Sequence, residues 1–161
     1  IAAHREILND FLGTAGAVRN FGPVLRDDYF LVIYGDNRIE HDLTSLAGRH
    51  KATGADFTIG VHRMQNTRAS GVVYMAQNGR VTQFIEKYAY SGPNWANMGV
   101  YVMEPKLLDL LPKGYADFGK DVIPRLVREG YAVFAVRMPL MVVPIDTPEL
   151  YRQSRRLRIK P

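Results

Sequence analysis

A chain of 161 residues with 47% hydrophobic and 23% charged residues is long enough to bury a core and too apolar to be disordered. Its longest apolar runs, Phe30–Tyr34 and Met138–Pro144, are too short to cross a bilayer, and the absence of cysteine excludes disulfides, thiolate metal sites and a thiol nucleophile. Of the net charge of +5, residues 148–161 carry +4 (Arg152, Arg155, Arg156, Arg158 and Lys160 against Glu149), which marks a solvated helix end, not a basic, aromatic-studded face for nucleic acid.

Ile1-Ala2-Ala3 runs directly into His4, Arg5 and Glu6 without a signal-peptide pattern, and a cytoplasmic protein with no membrane or nucleic-acid partner is expected. The first residue is not Met, so the sequence is expected to start later than its gene. Gly13-Thr14-Ala15-Gly16 precedes the apolar Ala17, Val18 and Phe21 and reads as a helix start. Phe30–Tyr34, apolar on both faces, predicts a fully buried strand of a parallel sheet. Leu43, Leu46, Ala47 and His50 have helical spacing, with Gly54 as the stop, and Phe57–Val61 predicts the next strand, parallel to the first.

Gly71–Glu86 reads as a hairpin around a two-residue Asn78-Gly79 turn, which sets Gln77 opposite Arg80, Val73 opposite Phe84 and Gly71 opposite Glu86. Met98–Met103 predicts a strand, Pro105 opens a short helix to Leu111, and a helix from about Asp121 carries Val122, Ile123, Leu126 and Val127 on one face, ending at Gly130. Val133–Val136 and Leu140–Val143 predict the last strands, and Thr147-Pro148-Glu149 combines a capping hydroxyl, an N1 proline and an acid at the start of a final helix. The fold class is α/β with a mixed sheet.

In open α/β sheets ligands bind beyond the carboxyl ends of strands. Asp36 and Asp146 both stand at such ends. There each either caps the next helix or sits in a turn, or the two together hold Mg²⁺ and, through it, phosphate oxygens. The Gly13–Gly16 turn would offer backbone N–H groups and a hydroxyl to a base or phosphate. Glu86 lies opposite Gly71, whose missing side chain leaves room for a ligand. Histidines 4, 41, 50 and 62 have no metal-site spacing, and His50 lies on the apolar face of its helix, so structural roles are expected for them.

Seven segments in order resemble the sugar-phosphate nucleotidylyltransferases: Leu12–Ala17, Tyr34-Gly35-Asp36, Gly71-Val72-Val73, Phe84-Ile85-Glu86-Lys87, Asn97–Val102, Asp117–Pro124 and Thr147–Tyr151. The resemblance implies a Rossmann-like nucleotide-diphospho-sugar transferase fold with a mixed, mostly parallel sheet flanked by helices. It treats residues 1–161 as a single partial domain without the family's opening Gly-rich triphosphate loop. It also implies Mg²⁺-dependent transfer of a nucleotidyl group from an NTP to a sugar 1-phosphate, of the mannose-1-phosphate guanylyltransferase or glucose-1-phosphate type.

By position, Gly13, Thr14, Ala15 and Gly16 would contact the nucleotide and Asp36 the metal. Gly71, Glu86, Asn97 and Gly99 would contact the sugar, and Lys87 would act on its phosphate. Pro144 stands where the family carries its second metal Asp, and Asp146 lies two residues later on the same strand face. Glu-Lys-Pro is replaced by Glu86-Lys87-Tyr88. Two other readings are a shortened, non-catalytic module that binds a nucleotide or nucleotide sugar, and a glycosyltransferase, which Gly35-Asp36-Asn37-Arg38 disfavours by lacking a second Asp. A homo-oligomer is expected, because a sheet without the family's first strands exposes apolar edges.

Overall fold

The computed structural model describes residues 11–25, 28–39, 42–68, 70–87, 94–138 and 142–156. Its elements are α1 (Gly13–Asn20), β1 (Phe30–Ile33), β2 (Asn37–Ile39), α2 (Leu43–Thr53), β3 (Phe57–Met64), β4 (Val72–Met75), β5 (Val81–Ile85) and β6 (Asn94–Met103), followed by a 3₁₀ turn (Pro105–Leu110), a π-helical turn (Phe118–Val122), α3 (Ile123–Arg128), β7 (Val133–Arg137), β8 (Val142–Pro144) and α4 (Pro148–Arg156). Leu140 and Met141 of the last expected strand lie outside the described residues, and β8 begins at Val142.

The helix punctuation follows the sequence. Asp42 caps α2 by accepting from the Thr44 N–H at 2.8 Å, and Gly54 ends it at φ +60°. The Leu150 N–H donates to Thr147 Oγ1 at 3.2 Å at the head of α4. Gly130 follows α3 with φ +82°.

The main sheet runs β5-β4-β6-β3-β7, and β1 pairs with β6 on the same side as β4. The α/β class and mixed sheet stand, but the parallel share is smaller than expected. Among the described pairings only β3 with β7 is parallel. The cause is β6, which runs antiparallel to both β1 and β3 and lies between them. β1 and β3 do point the same way, as the crossover rule requires, without being neighbours.

β1 also departs from its expected burial. Val32 is buried, whereas Leu31 and Ile33, on the sheet face that α2 covers over β6, are 43% and 47% exposed.

The hairpin has a different tip. The Gly79 N–H donates to Ala76 O and the Ala76 N–H to Arg80 O, both at 2.9 Å, so the loop contains three residues, with Gly79 at φ +90°. Gln77 therefore does not face Arg80. A bulge between Tyr74↔Gln83 and Met75↔Val81 then restores the expected register, with Val73 opposite Phe84. The tip is tied to β7, the far strand of the sheet, by Ala135 N–H donating to Gly79 O at 2.8 Å.

On one face of the sheet Phe57, Ile59, Tyr101 and Met103 pack against Phe118, Ile123 and Leu126. On the other, Leu46 of α2 covers Met98, Val100 and Val102. His50 is fully buried between Thr58 Oγ1 at 2.8 Å and Glu104 Oε1 at 3.1 Å, the structural role expected of it.

Candidate functional site

Three stretches of chain converge beyond one end of the sheet. The first is α1, whose entry is clamped to residues 114–118. The Ala15 and Gly16 N–H groups both donate to Ala116 O, at 2.9 and 3.2 Å, and the Ala116 N–H returns a bond to Leu12 O. A Cβ on Gly13 would stand 2.5 Å from Ala116 O, and one on Gly16 would strike Gly114 O. These glycines therefore serve a close backbone approach. The N–H cradle that the sequence suggests is filled, at two of its donors, by the protein's own carbonyl. The Thr14 hydroxyl is engaged too, accepting from the Phe118 N–H at 2.9 Å and donating to Asp117 Oδ2 at 3.1 Å.

The second stretch is β6. Ile59 pairs with Tyr101 but Val61 with Asn97, so residues 98–100 bulge opposite Gly60. Gly99 at the bulge has φ +67°, and a Cβ there would lie 2.6 Å from the Tyr34 ring. Asn97 closes the bulge by accepting from the Gly99 N–H at 3.1 Å, while its amide donates to the Tyr101 hydroxyl at 2.8 Å.

The third stretch is the open end of the hairpin. Glu86 leans over Gly71 and Gly119: a Cβ on Gly71 would meet Glu86 Oε2 at 2.8 Å and also the Phe84 ring, and one on Gly119 would strike the Glu86 carboxylate. The space left by Gly71 is thus taken up by Glu86 and Phe84. Burial, and next the Asp117 charge, push the Glu86 carboxyl above its ordinary value of 4.5. Lys87 follows with φ +50°, the one described non-glycine residue in the left-handed region, and its side chain is exposed. Such strain costs about 1–2 kcal/mol and concentrates at functional turns.

A raised carboxyl pKa destabilises the charged native state. The native protein binds its proton between the ordinary value and the raised one, so stability falls as pH rises through that window and stays lower above it. Glu86→Gln is therefore expected to melt at a higher temperature than the wild type near neutral pH. The gap should close as pH falls toward 4.5, which thermal denaturation across a pH series would read. A gap independent of pH would assign the effect to something other than the buried charge.

All four residues expected to meet the sugar, Gly71, Glu86, Asn97 and Gly99, line one cleft of about 160 Å³, together with Tyr34, Asn37, Ser70, Met98, Asp117 and Gly119. Lys87 lies next to Glu86 in sequence but is not among the lining residues. A second cleft of about 340 Å³ brings Thr14 and Asp36 together with the apolar Ala17, Val18, Phe21, Val32 and Ile33. Tyr34 belongs to both clefts.

Asp36 does not cap a helix, since β2 comes directly after it. Its carbonyl accepts from the Ile145 N–H at 2.7 Å, and the β2–β8 pairing sets Asn37 opposite Pro144. Asp36 and Asp146 are thus carried on adjoining backbone, both exposed. Among the described residues no three His, Asp or Glu side chains cluster as a metal site. Sequence reasoning gave no role to Tyr34, Asn37, Ser70, Asp117 or Gly119. The signal for the last two was present in Asp117-Phe118-Gly119, but only the fold shows that this segment faces Glu86.

The nucleotidyl transferase family profile matches residues 2–140. The UTP–glucose-1-phosphate uridylyltransferase of Synechocystis sp. is 34% identical over 159 residues, covering 94% of this chain and 41% of the relative. The glucose-1-phosphate adenylyltransferase of Cereibacter sphaeroides is 38% identical over 143 residues (76% and 34%), and the mannose-1-phosphate guanylyltransferase of Mycobacterium tuberculosis is 33% identical over 120 residues (74% and 33%). The chain therefore spans about two fifths or less of these relatives. The crystal structure of HddC from Yersinia pseudotuberculosis shares the fold, with a TM-score of 0.75 at 23% identity, covering 91% of this chain and 62% of that one. No helix among the described residues is long and apolar enough to cross a membrane. By the extent of the profile match and the identity to these relatives, the chain belongs to the nucleotidyl transferase family, alongside its sugar-1-phosphate members.

Proposed function

We propose that this chain forms the sugar-binding surface and part of the nucleotide-binding surface of an enzyme that transfers a nucleotidyl group from an NTP to a sugar 1-phosphate. An oxygen of the sugar phosphate attacks the α-phosphorus in line, the bond to the bridging α–β oxygen breaks, and pyrophosphate leaves. The observation that carries this reading is the convergence of Gly71, Glu86, Asn97 and Gly99, from separate stretches of chain, on one small cleft beside a second cleft holding Thr14 and Asp36.

In this reading the smaller cleft takes the sugar. Glu86 and Asn97 accept from its hydroxyls, and Gly71 and Gly99 keep backbone close to it. Lys87, on its strained turn, meets the sugar phosphate. The turn Gly13–Gly16 faces the nucleotide chiefly through Thr14, since the Ala15 and Gly16 N–H groups are already bonded. Asp36, with Asp146 beside it, would hold Mg²⁺. Two exposed carboxylates suit an ion that is commonly bound by one or two protein acids with substrate phosphates completing its shell. When bound, Mg²⁺ supplies charge neutralisation for the phosphate oxygens. What the protein contributes is positioning, which is most of what phosphoryl chemistry needs. Association between copies belongs to the same reading, supported by exposed Leu31 and Ile33 on β1.

The test is pyrophosphate release by the full-length protein, supplied with each common NTP against glucose 1-phosphate and mannose 1-phosphate. Metal-dependent release with at least one pair is expected. No release with any pair would end the reading.

A further inference from the structure

A third cleft, of about 320 Å³, opens where the hairpin tip meets α2 and β7, and it shares no lining residue with the two described above. Its volume sits at the lower end of the range for small-molecule sites, about 300–1,000 Å³. Arg49 of α2 and Arg137 at the end of β7 both line it, with Gln77, Asn78 and Gly79 of the tip. The sugar cleft carries the carboxylates of Glu86 and Asp117, and the second cleft that of Asp36. This one is lined by two guanidiniums and no acid.

The walls are fixed without a ligand. Besides the Ala135 bond to Gly79, the Arg80 guanidinium donates to Gly130 O at 3.2 Å and to Tyr131 O at 3.3 Å, which draws the tip onto the segment ahead of β7. Arg49 Nη2 donates to Asn78 O at 3.3 Å, and the Arg137 guanidinium lies 5.2 Å from the centre of the Trp95 ring. Neither arginine pairs with a carboxylate among the described residues. Two like charges at one cleft repel each other. Partners that orient the guanidiniums without neutralising them leave that repulsion in place, and a bound anion relieves it. Asn78 Oδ1 accepts from the Arg80 N–H at 3.0 Å, which orients the amide and leaves its NH₂ group as a further donor.

We propose that this cleft binds a small phosphate-bearing anion. One guanidinium grips both oxygens of a carboxylate, so a carboxylate would use a single arginine. A phosphate monoester presents three terminal oxygens and close to two negative charges, enough for both. Such a ligand would join α2, the hairpin tip and β7 at a site separate from both clefts of the proposed reaction, and the inference does not depend on that reaction.

The probe is inorganic phosphate, titrated calorimetrically into the full-length protein without metal and at constant ionic strength. Saturable binding is expected. Arg49→Gln and Arg137→Gln, both at exposed positions, should each weaken it about 10-fold or more, the loss of one charge-assisted contact. Arg49→Lys and Arg137→Lys keep the charge without the planar fork and should fall between the wild type and the glutamine variants. Arg156→Gln removes the same charge from the exposed end of α4 and should leave the affinity unchanged. A wild type that shows no saturable binding overturns the inference, as do glutamine or lysine variants that bind as the wild type does. Equal weakening in Arg156→Gln would reduce the effect to net charge and overturn it too. Binding lost in Lys87→Gln and untouched by the arginine substitutions would place the phosphate on the sugar-phosphate side instead.

Discussion

Gly99→Ala is expected to lower the stability of the protein by about 3 kcal/mol, a drop in melting temperature of roughly 10 °C for a chain of this size. Two costs add. An alanine at φ +67° pays about 1–2 kcal/mol for the left-handed region. Its Cβ would also stand 2.6 Å from the Tyr34 ring and 3.1 Å from Asn37 Nδ2, and forcing a packed ring aside costs about 1–3 kcal/mol. Gly54→Ala is the control. Its φ of +60° carries the first cost, but nothing lies within 4 Å of the added atom, so about 1 kcal/mol is expected. Equal losses at the two positions in thermal denaturation would show that the Tyr34 contact is not tight.

Asp36→Asn is expected to reduce turnover in the pyrophosphate-release assay by about 100-fold or more, the usual scale for removing one group that neutralises transition-state charge. The side chain keeps its size and loses its charge, and the backbone bond from Ile145 to Asp36 O does not depend on it. Sugar 1-phosphate binding without metal should survive, because Asp36 lines the other cleft. Asp146→Asn completes the comparison. A similar loss would mean that the two acids share the ion, and a loss of a few-fold would leave Asp36 as its main holder. Wild-type turnover in Asp36→Asn would remove this acid from the mechanism.

The helices and their ends were legible because their signals are local. Gly54, Thr147 and Gly130 act through local geometry and bonds to residues a few positions away, whereas the Asp42 cap on α2 went unread. The strands were legible as strands, but not in their neighbours. Nothing in Phe30–Ile33 says that β6 will lie between it and β3, since that depends on a segment more than 60 residues later. Its apolar run reads as burial on both faces, whereas Leu31 and Ile33 stay exposed on one. The hairpin shows two local errors that offset one another: a three-residue loop shifts the strands one way and a bulge shifts them back, so the body of the register was right and its tip was not.

Of the candidate site, the convergence of Gly71 and Glu86 came from that register. The meeting of Asn97 and Gly99 with them came through the family resemblance. The reasons for the glycines were not legible. Gly13 and Gly16 look like an open anion cradle in sequence and turn out to accommodate the backbone at Gly114 and Ala116, which no spacing could reveal.

The placement of β6 sets an order on biosynthesis. β1 and β3 both precede β6 in the chain, and in the fold they lie two strand spacings apart, roughly 10 Å, with no described pairing between them. Neither can satisfy its facing edge until Asn94–Met103 arrives to pair with both. The two facing strand edges therefore stay open until Asn94–Met103 has been made, and β7 joins the other edge of β3 later still. A stalled or prematurely ended product would be a substrate for chaperones and proteases, not a smaller folded unit.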